Sequence, residues 1–424
     1  MDLNAEELAM LEGESGPTVQ KAMQTLVEYG EVFGAKRLLP LSGGGHIVLS
    51  NGMPLFRPYF SIIEQCMEAG LKCGAPFTVN PRPIDHQNIR AGTLEKIADK
   101  AMYLNQKSYE RLLAGLGLQS DRSFSCACYL DEVNNIPAES AVIAWAESSA
   151  VVYANSVLGA RTNRNSSGID IISNLLGKTP EFGLVTDEGR KADWFISIRC
   201  SQLPDPQLLG SAIGLKVGGE VPYIIGLKEL FAGMDTRGIN DFLKEMGAAS
   251  ASNGAVGLFH VEEATPDARK HQRELLNKEY REYTIDESEL RNIYNSYPSL
   301  WPTSKSTPDI CFIGCPHLSF REVTDWVEKI SSALKSRGLQ RVKTETVLCT
   351  APGVIEVFRE TELSRVLRQL GVKTSAVCPL MHLSNPLRRK KAVVTNSSKL
   401  RTYTSARFFV EEDLLNILCT GITN

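Results

Sequence analysis

Beyond residue 308 the chain alternates short apolar runs with amphipathic helical patterns, and no other feature limits its fold so strongly. Ile310–Ile313, Glu345–Cys349, Thr374–Val377 and Ala392–Thr395 read as strands. Between them, Ser319–Leu334 and Val354–Leu370 read as helices. Ser319 with Glu322 three residues on forms a capping box at the start of the first, and Gly371 closes the second. Strands that alternate with helices pair in parallel through right-handed crossovers, which makes this an α/β arrangement. Parallel strands deliver their carboxyl ends to one edge, where binding and chemistry gather. The pattern therefore predicts that Cys315, Thr350, Cys378 and Asn396, each just past a strand, share that edge.

Upstream the reading is less regular. Val19, Met23, Leu26 and Val27 recur at helical spacing, so Thr18–Phe33 is an amphipathic helix. Tyr59–Ala69 and Leu94–Leu116 are two more. A glycine-rich loop, Gly43-Gly44-Gly45-His46, and the proline-bearing stretch Pro76–Pro83 lie among them. Residues 140–285 mix helices with β-rich runs at Trp194–Ile198 and Val221–Ile225. Residues 264–308 are polar and proline-bearing, and read as a linker. A chain of 424 residues predicts two or three domains. We place N-terminal lobes at residues 1–300, a helical start followed by α/β, and a C-terminal α/β lobe at 301–424.

Ala141–Ala160 is apolar enough to raise the question of a membrane span, but Glu147 near its centre is costly in lipid, so it reads as a buried core helix. A net charge of −3 gives no electrostatic case for nucleic acid or anionic membrane. The acidic start, Met1-Asp2-Leu3-Asn4-Ala5-Glu6-Glu7, lacks the basic and apolar regions of a signal peptide, which points to the cytoplasm. Ten cysteines in a chain of this length are too dilute for a disulfide scaffold.

Cys126, Cys315 and Cys378 are candidates for a metal or iron–sulfur site; the alternative is that they are small buried hydrophobes. Without a C-x-x-C pair a zinc ribbon is unsupported. Cys128 and Cys311 read as packing residues. On a helix, Glu147 would share a face with Val151 and Asn155, and a carboxylate in so apolar a segment must be paired, protonated or functional. It is either a general acid/base with a raised pKa or half of a salt bridge to Arg161 or Arg164. His46 follows three glycines, where backbone approaches a ligand closely. His260 and His317 each follow an apolar run and read equally as ligands or as satisfied core histidines. Thr395-Asn396-Ser397-Ser398-Lys399 could offer hydroxyls, N–H groups and an ammonium to a carboxylate or phosphate.

The residues from Ala144-Trp145-Ala146-Glu147-Ser148-Ser149 through Asn155 to Arg161-Thr162-Asn163-Arg164 resemble the signature of the aconitase X family. Gly314-Cys315-Pro316-His317, the stretch Gly247–His260, Thr265-Pro266, Thr395–Lys399 and Leu11-Glu12-Gly13 fit the same family in the same order. The resemblance implies an aconitase-like, multi-lobed α/β fold with its active site at strand carboxyl ends. It implies a hydro-lyase that dehydrates a small hydroxy acid of the cis-3-hydroxy-L-proline or (R)-5-phosphomevalonate type. Carried over residue by residue, it makes Cys126, Cys315 and Cys378 the ligands of a 4Fe-4S cluster, with a 2Fe-2S cluster or mononuclear iron as alternatives. Glu147, Lys399 and His46 would be catalytic, and Asn80, Pro81, Ser148, Ser50, Asn51, Asn396 and Ser397 would bind substrate. The family's proton-abstracting serine sits in a small swivelling domain with no counterpart in this sequence, so a small partner subunit is implied. The rival readings are an aconitase-like binding or regulatory subunit without a cluster, and a zinc-dependent lyase.

Overall fold

The computed structural model describes residues 1–48, 53, 57–301 and 306–423. The alternation that opens the C-terminal third becomes a five-stranded sheet in the order Val372–Ser375, Thr346–Thr350, Ile310–Leu318, Val393–Thr395, Arg407–Phe408. Every neighbouring pair is parallel. Ile310–Leu318 is central and buried along its whole length, as a strand covered on both faces must be. The helix Phe320–Lys335 covers the sheet with Val323, Trp326, Val327, Ile330 and Leu334, and its capping box forms between Ser319 and Glu322 as the pattern predicts.

Three boundaries differ from the sequence reading. The central strand runs to Leu318 rather than ending at Ile313, so Cys315 lies within it. It does so at an irregularity in the ladder: Leu348 faces Ile313, but Thr350 faces Leu318. Gly314 has φ of 102°, and a Cβ there would stand 2.2 Å from the Cys349 carbonyl oxygen, so only glycine fits. Val354–Leu370 divides into Pro352–Arg359 and Glu362–Leu370, because Thr361 leaves the helix to cap the second segment. Leu94–Leu116 likewise divides into Thr93–Met102 and Gln106–Leu116.

A second parallel sheet, in the order His260–Val261, Pro222–Ile225, Ala192–Ile198, Leu276–Ile285, occupies the middle of the chain. Its last strand corrects the linker reading of 264–308. That stretch holds the helix Pro266–His271, the ten-residue strand and the helix Glu287–Asn295. The strand was hidden because it is an edge strand, mostly exposed, and carries the charges that protect such an edge. Two small sheets complete the N-terminal part. Leu38–Pro40 pairs antiparallel with Lys178–Pro180, and His46–Ile47 pairs parallel with Thr78–Val79.

Ala141–Ala160 is not one helix. Its helix is Ser148–Ser156, and the apolar residues before it are extended, tied to Arg161 at Val142 and to His46 at Trp145. Apolar content there records burial, which a periodicity argument cannot separate from helicity over so short a run. Among the described residues no helix is long and apolar enough to cross a membrane.

Candidate active site

The site grows from Glu147, which the helix boundary relocates. It is the N-cap of Ser148–Ser156, with φ −79° and ψ 129°, not a mid-helix residue sharing a face with Val151 and Asn155. Its carboxylate accepts from the Ala150 amide at 2.8 Å and from the Ser149 hydroxyl at 2.5 Å. The salt-bridge partner is neither Arg161, which pairs with Asp187, nor Arg164, which donates to the Gly219 carbonyl. It is Lys399, whose ammonium contacts Glu147 and donates to the Ser149 hydroxyl at 3.2 Å. Burial pushes the Glu147 pKa up, but Lys399 and the three donors overcome it and hold the carboxyl below its ordinary value. This overturns the expectation of a raised acid: Glu147 is an anion in the resting site. Burial opposes the charge on Lys399, yet Glu147 keeps its pKa above the ordinary value. Lys399 lies at the start of the helix Ser398–Tyr403, directly after the strand Val393–Thr395.

His46 stands next to this pair. Its backbone is zipped to Trp145 and Ala146, with the Ala146 amide donating to the His46 carbonyl at 3.0 Å. The preceding glycines permit this approach: a Cβ on Gly44 would lie 2.5 Å from the Pro76 carbonyl oxygen, and one on Gly45 2.2 Å from Asn174 Oδ1. His46 is fully buried, which lowers its pKa to about 4 and keeps the ring neutral. Its Nδ1 lies 2.8 Å from the Thr78 hydroxyl, whose oxygen accepts from Asn135 at 2.8 Å. The Thr78 hydroxyl also reaches the Gly45 carbonyl at 3.4 Å, so either tautomer of the neutral ring satisfies Nδ1. Among the described residues the buried Nε2 has no partner, an arrangement that costs about 1–3 kcal/mol unless a ligand meets it.

The three candidate cysteines come from different elements and are near enough to influence one another and to feel Lys399 and Glu147. Cys126 follows the turn Asp121–Ser123, Cys315 is in the central strand, and Cys378 caps the short helix Pro379–His382. Burial pushes each thiol up to about 12. The charge of Lys399 opposes that rise at all three, while the thiols raise one another: Cys126 feels Cys315, Cys315 feels Cys378, and Cys378 feels Cys126. Such groups stay protonated until a cation claims them. Of the four residues expected just past strands, Cys378 and Asn396 do follow the carboxyl ends of parallel strands, whereas Thr350 is the last residue of its strand and Cys315 lies within a longer one. Among the described residues no group of three or more His, Cys, Asp or Glu side chains is arranged to hold a metal ion. The three thiols are nonetheless electrostatic neighbours. An all-sulfur set suits iron–sulfur chemistry better than a hard cation such as calcium or magnesium.

The other expected residues fall as follows. Asn80 is buried, its amide donating to the Ile47 carbonyl, and Asn80-Pro81 continues the strand paired with His46–Ile47. Ser148 is the first residue of its helix. Ser397 caps the helix that carries Lys399, and its hydroxyl donates to the Cys315 carbonyl, tying two site segments together. Asn396 has a buried Oδ1 with no partner among the described residues. Ser50 and Asn51 lie outside the described residues. His260 is away from this group, with Nε2 donating to the Arg190 carbonyl at 2.8 Å.

All three domains of the aconitase X family, first, second and third, match this chain, at residues 1–188, 192–295 and 308–416. The chain is also 33% identical over 340 residues to the phosphomevalonate dehydratase large subunit of Thermococcus kodakarensis, covering 80% of this chain and 78% of that one. The chain belongs to the aconitase X family. A crystal structure of Thermococcus kodakaraensis aconitase X in its holo-form superposes with a TM-score of 0.81 at 28% identity, covering 99% of this chain and 100% of that one. The cis-3-hydroxy-L-proline dehydratase of Hypocrea jecorina is 26% identical, over 96% of this chain and 67% of its own length. Both kinds of relative are dehydratases, that is, hydro-lyases.

Within this aconitase X site, sequence reasoning missed Ser149, Ser125 and Lys244. Ser149 links Glu147 to Lys399. Ser125 bonds His317, and buried Lys244 donates to the His317 carbonyl at 3.2 Å. None had a local signal, since each acquires its role from a partner more than 70 residues away.

Proposed function

We propose that this chain is the hydro-lyase subunit of an aconitase X dehydratase. It would remove water from a small hydroxy acid, (R)-5-phosphomevalonate or cis-3-hydroxy-L-proline in type. Cys126, Cys315 and Cys378 would hold a 4Fe-4S cluster, with one coordinating position left for substrate. The reading is carried by one observation: three thiols that influence one another and feel the charge of Lys399 accompany a buried Lys399–Glu147 pair and a His46 Nε2 with no partner among the described residues. The dehydratase relatives support the reaction class. Free thiols throughout the described chain suit a reducing, cytoplasmic setting.

When bound, the cluster supplies a Lewis acid that takes up negative charge on the departing hydroxyl. The protein's own groups divide the remaining work. Lys399, charged and held by Glu147 and Ser149, offers its ammonium to the substrate carboxylate and to the charge that develops on it. His46, held neutral by burial, turns an Nε2 without a partner among the described residues to a substrate oxygen or hydroxyl. Glu147, ionised at rest, accepts rather than donates: it orients the substrate hydroxyl by accepting its hydrogen bond. The buried Asn396 amide oxygen can accept a substrate hydroxyl. Relatives named as large subunits support a smaller partner, which would bring the proton-abstracting serine.

The test is anaerobic reconstitution of the chain with iron and sulfide, followed by assay with its small partner on both substrates. Visible absorption, iron with sulfide in the protein, and turnover of one substrate are expected. In Cys315→Ser the absorption should be lost and turnover should fall at least 100-fold, the scale of removing a group that stabilises transition-state charge. Wild-type absorption in that variant would remove Cys315 from the ligand set. Wild-type protein that takes up neither iron nor sulfide would instead support the cluster-free reading.

A further inference from the structure

His317 bonds at every polar atom, and its partners lie on the segments that carry the cysteines. Its backbone N–H donates to Cys126 Sγ at 3.3 Å. Its Nε2 lies 3.2 Å from the carbonyl oxygen of Val377, the residue before Cys378. A carbonyl only accepts, so Nε2 carries the proton and Nδ1 is an acceptor. Nδ1 lies 3.1 Å from the hydroxyl of Ser125, the residue before Cys126, and so receives the Ser125 proton. Ser125 Oγ in turn accepts from the Ala127 amide at 3.1 Å, which leaves its own proton free for the ring. The His317 carbonyl accepts from Lys244. Cys315 is two residues before His317 on the same strand.

We propose that His317 is a positioning residue for the cluster: its neutral imidazole ties the Cys126 and Cys378 loops to the strand that holds Cys315. The proposal rests on the cluster reading of these three cysteines. Its physical basis is that the three ligands come from chain segments nearly 200 and 60 residues apart. No local turn can fix their separation, and groups behind the ligands commonly alter metal retention about 10–100-fold. The bridge is fully buried, so water cannot substitute for it cheaply.

The experiment compares wild type, His317→Ala, His317→Gln and Ser125→Ala after anaerobic reconstitution. It measures iron and sulfide content and the rate at which a chelator bleaches the visible absorption, with circular dichroism as the check on folding. His317→Ala should bleach at least tenfold faster while remaining folded. His317→Gln, which places an N–H near the Val377 carbonyl, should recover part of the lost retention. Ser125→Ala cuts one arm of the bridge and should bleach several-fold faster. Wild-type bleaching in folded His317→Ala overturns the proposal, as does an equal loss in the glutamine variant, which would reduce the ring to a space filler. Should the alanine variant not fold, Ser125→Ala decides: a wild-type rate overturns the proposal and faster bleaching supports it. Wild-type protein that takes up no iron and sulfide overturns the cluster reading and this inference together, a result distinct from the others.

Discussion

Two buried lysine–glutamate pairs occupy neighbouring parts of this molecule and do different work. Lys399–Glu147 and Lys244–Glu322 are both short contacts between nearly inaccessible side chains, and in both the carboxylate outweighs burial and keeps the lysine charged. The Lys244 ammonium is surrounded: Glu322, Glu245 and the His317 carbonyl all face it. Glu322 also accepts from the Ser319 amide, closing the cap of the helix that covers the sheet. Lys399 has Glu147 and Ser149, and near the pair stands the buried, unpartnered His46 Nε2. A saturated pair braces; a pair with unmet partners around it can receive a ligand. The contrast teaches that burial and charge alone do not mark a site.

Replacement of the lysines should separate the two pairs most sharply. Lys399→Met and Lys244→Met each leave a buried carboxylate uncompensated and should lose about 3–5 kcal/mol of stability in denaturant unfolding. Turnover should fall by about 100–1,000-fold in Lys399→Met and far less in the folded fraction of Lys244→Met. Removal of both partners tests the same contrast from the other side. Lys399→Met with Glu147→Leu should regain most of the stability, since an apolar pair of similar volume is neutral or better, but no activity. It should stop about 1 kcal/mol short of full recovery, because Glu147 also caps a helix, and Lys244→Met with Glu322→Leu should fall short for the same reason while keeping most of its activity. Activity lost in the Lys244–Glu322 double variant as completely as in the other would dissolve the distinction between the pairs.

A third test uses pH. Asp241 lies against the brace, where burial and the charge of Glu322 raise its pKa to about 7 despite Lys244, the Ser319 hydroxyl and Arg321. Between the ordinary carboxylate range and pH 7 the native state then holds a proton that the unfolded chain has released. Stability therefore falls as pH rises through that window. Glu147 has the opposite sign: its lowered pKa contributes stability above the ordinary carboxylate range that is lost as pH falls through the folded value. Glu245 beside the same lysine is raised to about 7 as well, so Asp241→Asn should make the decline up to pH 7 shallower without abolishing it and leave the acid limb unchanged, as read from unfolding midpoints across pH. The smallest effect is expected from Ser149→Ala, which removes one hydroxyl from the open pair; about 1 kcal/mol is at stake, seen as a several-fold loss in kcat with the fold intact.

Much of this was legible in the chain. The C-terminal strands and the Ser319 capping box follow from period and cap chemistry, which act over a few residues. Cys315, Cys378 and Asn396 could be placed near one sheet edge because parallel pairing carries consecutive strand ends there. Errors occurred where composition reflects environment instead of conformation. The strand Leu276–Ile285 looked like a linker because its edge is charged, and Ala141–Ala146 looked helical because it is buried.

By itself the sequence determined the fold class, the sheet edge and the residue types at hand: thiols, one carboxylate in an apolar run, a lysine after a strand. Only the tertiary structure decided what those residues do. It turned Glu147 from a mid-helix acid into an ionised helix cap by bringing Lys399 across 252 residues. It made His317 a bridge between cysteine-bearing loops and left His46 Nε2 without a partner among the described residues. The reason is that a titrating group's state depends on its charged and hydrogen-bonding neighbours within a few ångströms, and in a fold of crossovers those neighbours are rarely close in sequence.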